Sequence, residues 1–256
     1  MIYLYGFVRP DTPPDPAVLA DLAGVTGPVC HAQMDQGWLI YGPSHEAELL
    51  PKRRHLLAHT RVLEALGLDG AVLPMRFGLV AADIDAVAAL AARNADALAA
   101  SFARIDGCVE LGLRLSFDRD AALSATLAAA PDLARRHKVL SAQRPAPHFE
   151  AAEFGRQLAE ALDRRRAAAQ RAVVADLKPH LSEYALRAPS SDVEVLSIAA
   201  LVPSAQQTDL TEKVVAAADE VASFATGAEP QVQIVGPVPP FSFVDLRLVP
   251  AHADAA

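Results

Sequence analysis

The run Val109-Glu-Leu-Gly-Leu-Arg-Leu-Ser-Phe117 alternates without a break. Val109, Leu111, Leu113, Leu115 and Phe117 are apolar, while Glu110, Gly112, Arg114 and Ser116 stand between them. Strict period two over this length predicts a strand with one buried face and one wet face. Downstream, Val193–Val202 is a nearly continuous apolar strand, and Gln231-Val-Gln-Ile-Val235 and Phe241–Leu248 read as two more, separated by the turn Gly236-Pro-Val-Pro-Pro240. Between them lie a long helix starting near Phe149, with the stripe Leu158, Leu162, Ala169, Val173, Leu177 and Leu181, and a helix behind the capping box Asp209-Leu-Thr-Glu212. Pro179 is expected to kink or restart the long helix.

The order strand, helix, strand, helix, strand, strand fits a variant of the ferredoxin-like arrangement, an antiparallel sheet with helices on one face. Upstream, Ile2–Val8 is apolar on both faces and suits a central strand. Gly37–Gly42 is a short strand. A helix with the stripe Leu49, Leu56, Thr60, Leu63 and Leu66 stops at Gly67. Val72–Val80 is a strand that Pro74 sends to an edge or bulge, and Asp83 caps a helix to about Ala103. The expected fold class is therefore α+β in two domains. Residues 1–105 form an N-terminal α+β domain. Residues 106–248 form the ferredoxin-like one, with a connector insertion at about 118–148, and 249–256 are a frayed tail.

The chain has 256 residues, 52% of them apolar, and a formal net charge of −8. This length supports a sizeable core and excludes global disorder. The acidic balance argues against nucleic acid and against an anionic membrane surface. Asp83, Asp85, Arg93, Asn94 and Asp96 interrupt the longest apolar stretch, so it does not span a bilayer. Cys30 and Cys108 lack metal spacing and suit a reducing, cytoplasmic setting.

Chemistry-bearing patterns are sparse. His55-Leu-Leu-Ala-His59 has the spacing of helical zinc ligands, but Leu56 stands where a zincin has its general base and no third ligand is evident. Cys30-His31 are strand neighbours pointing to opposite faces. Asp83-Ile-Asp85 reads as a helix cap. The run Arg164-Arg-Arg166 is either a solvated ion-paired face or a dock for an acidic partner. Arg76, inside an apolar strand, must reach an edge or pair with a carboxylate such as Glu110. No set supplies nucleophile, base and oxyanion site together, so the residues point to a binding or assembly protein, not an enzyme, with no cofactor. A small-ligand or metal-binding sensor or enzyme using His55, His59 or Arg76 is the alternative, and a self-associating scaffold a third reading.

Two motifs carry a resemblance. Val72-Leu-Pro-Met-Arg-Phe-Gly78, preceded by Ala58-His59 and Val62, resembles the V-L-P-x-R-F-G run of the gas vesicle synthesis proteins of the F/L family, and Gly236-Pro-Val-Pro-Pro-Phe-Ser-Phe-Val244 resembles their G-P-W-P-P-Y-S-F-V signature. Tyr3-Leu-Tyr-Gly6, Val109-Glu110 with Arg114, and Glu153-Phe-Gly-Arg156 add support in the same order. Val238 stands for the usual Trp, Phe241 for Tyr and Arg114 for Lys. The resemblance implies a non-catalytic accessory protein of gas vesicle formation that binds the small hydrophobic major shell protein, with other accessory proteins as further partners and the gas vesicle as its location. Pro237, Pro239, Pro240, Phe241 and Phe243 are the candidate contact element, since rigid prolines and exposed aromatics make economical anchors. His59, Arg76, Phe77, Gly78 and Glu110 are the candidate structural motif.

Overall fold

The computed structural model describes residues 1–67, 71–143 and 147–245. In chain order the elements are β1 (Ile2–Val8), α1 (Pro16–Ala20), β2 (Cys30–Met34), β3 (Gly37–Pro43), α2 (Arg53–Ala65), β4 (Val72–Pro74), β5 (Val80–Ala81), α3 (Ile84–Arg93), α4 (Ala95–Ile105), β6 (Cys108–Ser116), α5 (Arg119–Ala129), α6 (Pro131–Ala142), α7 (His148–Leu177), β7 (Glu183–Leu186), β8 (Glu194–Pro203), α8 (Gln207–Glu220) and β9 (Gln231–Val238). The fold is α+β with antiparallel sheets.

The first sheet runs β2-β3-β1-β4, and β5 also pairs with β1. β1 is thus the central strand, and its residues from Tyr3 to Val8 are all buried. Its pairing with β3 slips between Leu4 and Gly6. A bulge of this kind breaks strict alternation, so Tyr3, Tyr5 and Val8 all join one core cluster with Ile40, Val62, Leu63 and Val72. Gly6 is required by close approach: a Cβ there would lie 2.5 Å from the Leu73 carbonyl oxygen and 3.2 Å from Leu63. Pro74, which has no N–H to donate, sits on the edge strand as its chemistry demands.

The helix α2 buries His59, Val62 and Leu63, while Leu56 is 40% exposed. Its inward face is therefore offset from the stripe drawn through Leu56 and Thr60. The expected single helix from Asp83 to Ala103 is two, broken at Asn94; Asp83 does cap the first, accepting from the Ala86 N–H at 2.8 Å.

The second sheet runs β7-β8-β6-β9. β8 is buried at every position from Glu194 to Val202, hence on both faces. Glu110, expected on the wet face of β6, is 2% exposed. Within 118–148, α5 is a core element rather than a connector, burying Ala122, Ala125 and Thr126. α7 ends at Leu177 and passes at Pro179 into a 3-10 turn, as a helix-breaking proline requires. Arg165 turns inward from the basic run, donating to Thr126 Oγ1 at 2.8 Å and to the carbonyls of Ser223 and Phe224 at 2.7 and 3.1 Å. Arg166 pairs with Asp163. α8 begins at Gln207 without a side-chain cap, so the box at Asp209 does not form. β9 extends through Gly236 and Pro237 to Val238, and Phe241–Phe243 is a turn where a final strand was expected. Residues 246–256, which hold the rest of that strand and the tail, lie outside the described residues.

The chain divides into two compact units: Met1–Leu111 with Leu201–Ser204 and the segment from Gly236, and Gly112–Ala200 with Ala205–Val235. The segment 236–245 thus belongs with the N-terminal residues, whereas it was expected in a C-terminal domain of 106–248. Among the described residues no helix is long and apolar enough to cross a membrane. Because the Cβ of Gly6→Ala meets backbone, this substitution is expected to cost about 2 kcal/mol or more in urea unfolding; a change near zero would show that β1 and β4 separate freely.

Candidate functional site

The motif segments meet at one buried side chain. His59, on the inward face of α2, is 3% exposed. Its Nε2 lies 3.0 Å from the Met75 carbonyl oxygen, and its Nδ1 lies 2.8 Å from the Tyr3 hydroxyl. A carbonyl only accepts, so Nε2 carries the proton and Nδ1 accepts from Tyr3. The Tyr3 oxygen in turn accepts from the Gly78 N–H at 3.4 Å. Gly78 reaches that position with φ +93°, a conformation glycine takes without strain. One polar chain therefore links β1, α2 and the loop after β4.

Four aromatic rings enclose the imidazole. Tyr5 stacks on it at 5.5 Å, and Tyr3 and Phe77 present edges at 5.7 and 5.9 Å. Phe241 lies at 6.3 Å from the far end of the sequence. Burial is the main cause that lowers the His59 pKa to about 4, partly opposed by the Met75 carbonyl. Burial likewise raises Tyr3 above the ordinary phenol range and pushes Tyr5 up to about 12, although the Val25 N–H bonded to Tyr5 pulls the other way. The imidazole is thus neutral at physiological pH and both phenols are protonated.

The C-terminal motif is held by a second set of bonds. Glu110 Oε2 accepts from the Ser242 N–H at 2.8 Å, and Oε1 from the Ser242 hydroxyl at 2.7 Å. Arg104 donates to the Phe243 carbonyl at 2.8 Å. The Phe241–Phe243 turn is thereby fixed by β6 and α4. Glu110 does not hold Arg76, although a carboxylate such as Glu110, or an edge position, is what the sequence asks for. Arg76 pairs instead with Asp245 at 3.5 Å, with side-chain exposures of 79% and 58%. A pair this exposed contributes little to stability, so Arg76 is a surface residue and not a buried structural cation.

Of the expected contact element, Pro239, Pro240 and Phe243 are buried, Pro237 and Phe241 half-buried. They are not free anchors: most of this turn packs into its own unit. Phe77 and Gly78 are half-buried, and Leu79 beside them is 40% exposed. His55 does not join His59 in a ligand pair. Its Nδ1 faces the Leu50 carbonyl at 3.2 Å and its Nε2 accepts from Arg54 at 3.1 Å. No group of three or more His, Cys, Asp or Glu among the described residues could hold a metal ion. Tyr3, Tyr5 and Ser242 were not singled out as individual site residues. The signal available for the tyrosines was two hydroxyls in an otherwise apolar central strand, which must find partners when buried.

The arrangement is that of a scaffold whose motif residues satisfy one another, and the comparisons agree on its family. The profile described as "Gas vesicle synthesis protein GvpL/GvpF" matches residues 1–245. A gas vesicle protein F from Streptomyces sp. (strain CB03234) is 31% identical over 251 residues, 95% of this chain and 99% of its own. That from Dolichospermum flosaquae is 26% identical over 83% of this chain and 86% of its own. The crystal structure of GvpF from Microcystis aeruginosa is similar in fold at a TM-score of 0.74, with 24% identity over 96% of this chain and 99% of that one. The chain belongs to the gas vesicle synthesis protein GvpL/GvpF family.

A buried neutral histidine makes stability depend on pH with a definite sign. Its folded pKa of about 4 lies below the ordinary value of 6.5. Above pH 6.5 neither state is charged and the group adds no pH dependence. As pH falls from 6.5 towards 4 the unfolded state takes up the proton first, and about 3 kcal/mol is lost. Urea unfolding as a function of pH should show this loss, and His59→Gln should flatten that part of the profile. An unchanged profile in the variant would mean that His59 is already protonated in the fold.

Proposed function

We propose that this protein is a non-enzymatic accessory factor of gas vesicle formation, a minor structural component or assembly factor that engages the small hydrophobic shell protein. The observation that carries the reading is the convergence of the motif segments on His59 and Glu110, where their polar atoms bond to one another. Both ring nitrogens of His59 and both carboxylate oxygens of Glu110 are engaged. Groups tied in this way hold a shape, whereas an acid–base or ligand-binding role needs a group free to meet its substrate.

The shape they hold presents an apolar surface. Phe77 and Phe241, each half-buried, lie against the same imidazole, and Leu79, two residues on from Phe77, is exposed. An exposed leucine beside partly exposed aromatic rings suits a hydrophobic protein partner. In this reading the contact surface is the 77–79 loop together with Phe241, and the proline run behind it is its support. The vesicle and its shell protein are the expected location and partner.

Leu79→Glu tests this with little cost to the fold, because Leu79 is already exposed. Capture of the co-expressed shell protein by the tagged protein is expected to fall at least about tenfold with Tm unchanged, which corresponds to about 1.4 kcal/mol of binding. Undiminished capture by the folded variant would contradict the assigned surface.

A further inference from the structure

A different surface carries an inference of its own. The helix α2 opens on Lys52-Arg53-Arg54, with Arg61 two turns further on. Lys52 occupies the N-cap without a side-chain cap bond, and the first turn has no acidic residue. Positive side chains at a helix N-terminus oppose its dipole and lower stability. Other cations of the chain do find carboxylates: Arg9 pairs with Asp106, Arg119 with Asp192, and Arg156 with Glu153. Among the described residues Lys52, Arg53, Arg54 and Arg61 reach no carboxylate, although the chain as a whole carries a net charge of −8.

Three of these cations, Lys52, Arg54 and Arg61, line a groove. Arg54 and Arg61, with Asp21, border a cavity of about 530 Å³. Lys52 and Arg54, with His45 and Glu46, border a second of about 290 Å³, and Val25, Arg54 and His55 are common to both. The second cavity is also bordered by Thr26, whose Oγ1 is buried without a hydrogen-bond partner, and by Leu50, which is 68% exposed.

We propose that this groove docks an acidic segment of a partner protein, one that also carries apolar side chains for Leu50. Lys52 and Arg61 are nine residues apart, about 13 Å along the helix at 1.5 Å per residue. That spread exceeds a single phosphate and matches about four residues of extended chain. Two concavities receive a chain, whereas a bilayer surface stays outside them. The proposal is independent of which protein meets the Leu79 surface.

The test uses the whole protein and a fluorescein-labelled peptide of about six Glu-Leu repeats, long enough to span the groove. Fluorescence anisotropy is expected to show saturable binding that weakens several-fold between about 50 and 300 mM salt. Arg54→Gln with Arg61→Gln should weaken it about tenfold or more, while Arg135→Gln on α6 leaves it unchanged. Lys52→Glu with Arg53→Glu should weaken binding and raise Tm together, because it relieves the opposed dipole. The proposal fails if the peptide does not bind, if both groove variants bind as the parent does, if inorganic phosphate displaces the peptide at equal concentration, or if phosphatidylserine vesicles are bound in preference to it.

Discussion

The hydrogen bond from Tyr3 to His59, continued to the Met75 carbonyl, is the interaction on which the first unit depends. It joins the central strand, the helix packed on it and the loop after β4 through groups that would each be costly to bury alone. A protonated His59 would offer Tyr3 a donor where it needs an acceptor, and would leave a charge inside an aromatic cage. The chain is therefore consistent only with the neutral imidazole, which its burial also favours.

The same centre explains why the two ends of the sequence belong together. Phe241 closes the cage around His59, and the turn that carries it is fixed by Glu110 and Arg104. The C-terminal motif is thus part of the N-terminal unit's core, and its prolines and Phe243 are spent on packing. Beside it, Phe77 and Phe241 are half-buried and Leu79 is exposed, and these are the residues the proposed contact uses. Phe241, where the family commonly has Tyr, keeps the ring that lies against the imidazole.

Much of the fold was legible because it follows local rules. The central position of β1, the edge position of Pro74, the end of α2 at Gly67 and the break at Pro179 each follow from side-chain chemistry at one place in the sequence. The errors arose where distant residues decide. Glu110 alternates with leucines as a wet residue would, yet it is buried because Ser242, 132 positions away, supplies two donors. Which carboxylate Arg76 meets is hidden for the same reason, since Asp245 comes near it only through the return of the chain. The burial of Pro239, Pro240 and Phe243 is hidden as well, because a motif shows which residues go together, not which way they face. The Tyr3–His59 bond likewise left no local trace beyond two polar residues among apolar neighbours.

The central claim is that His59 is neutral, protonated on Nε2, and accepts from Tyr3 at Nδ1. Nitrogen-15 NMR of histidine-labelled protein at about pH 6 measures this directly, at a pH where an ordinary imidazole is largely charged. The account predicts one histidine with a slowly exchanging Nε2–H and an unprotonated Nδ1 that keeps this state to well below the usual titration range. An imidazolium, or the Nδ1–H tautomer, at that position would contradict it.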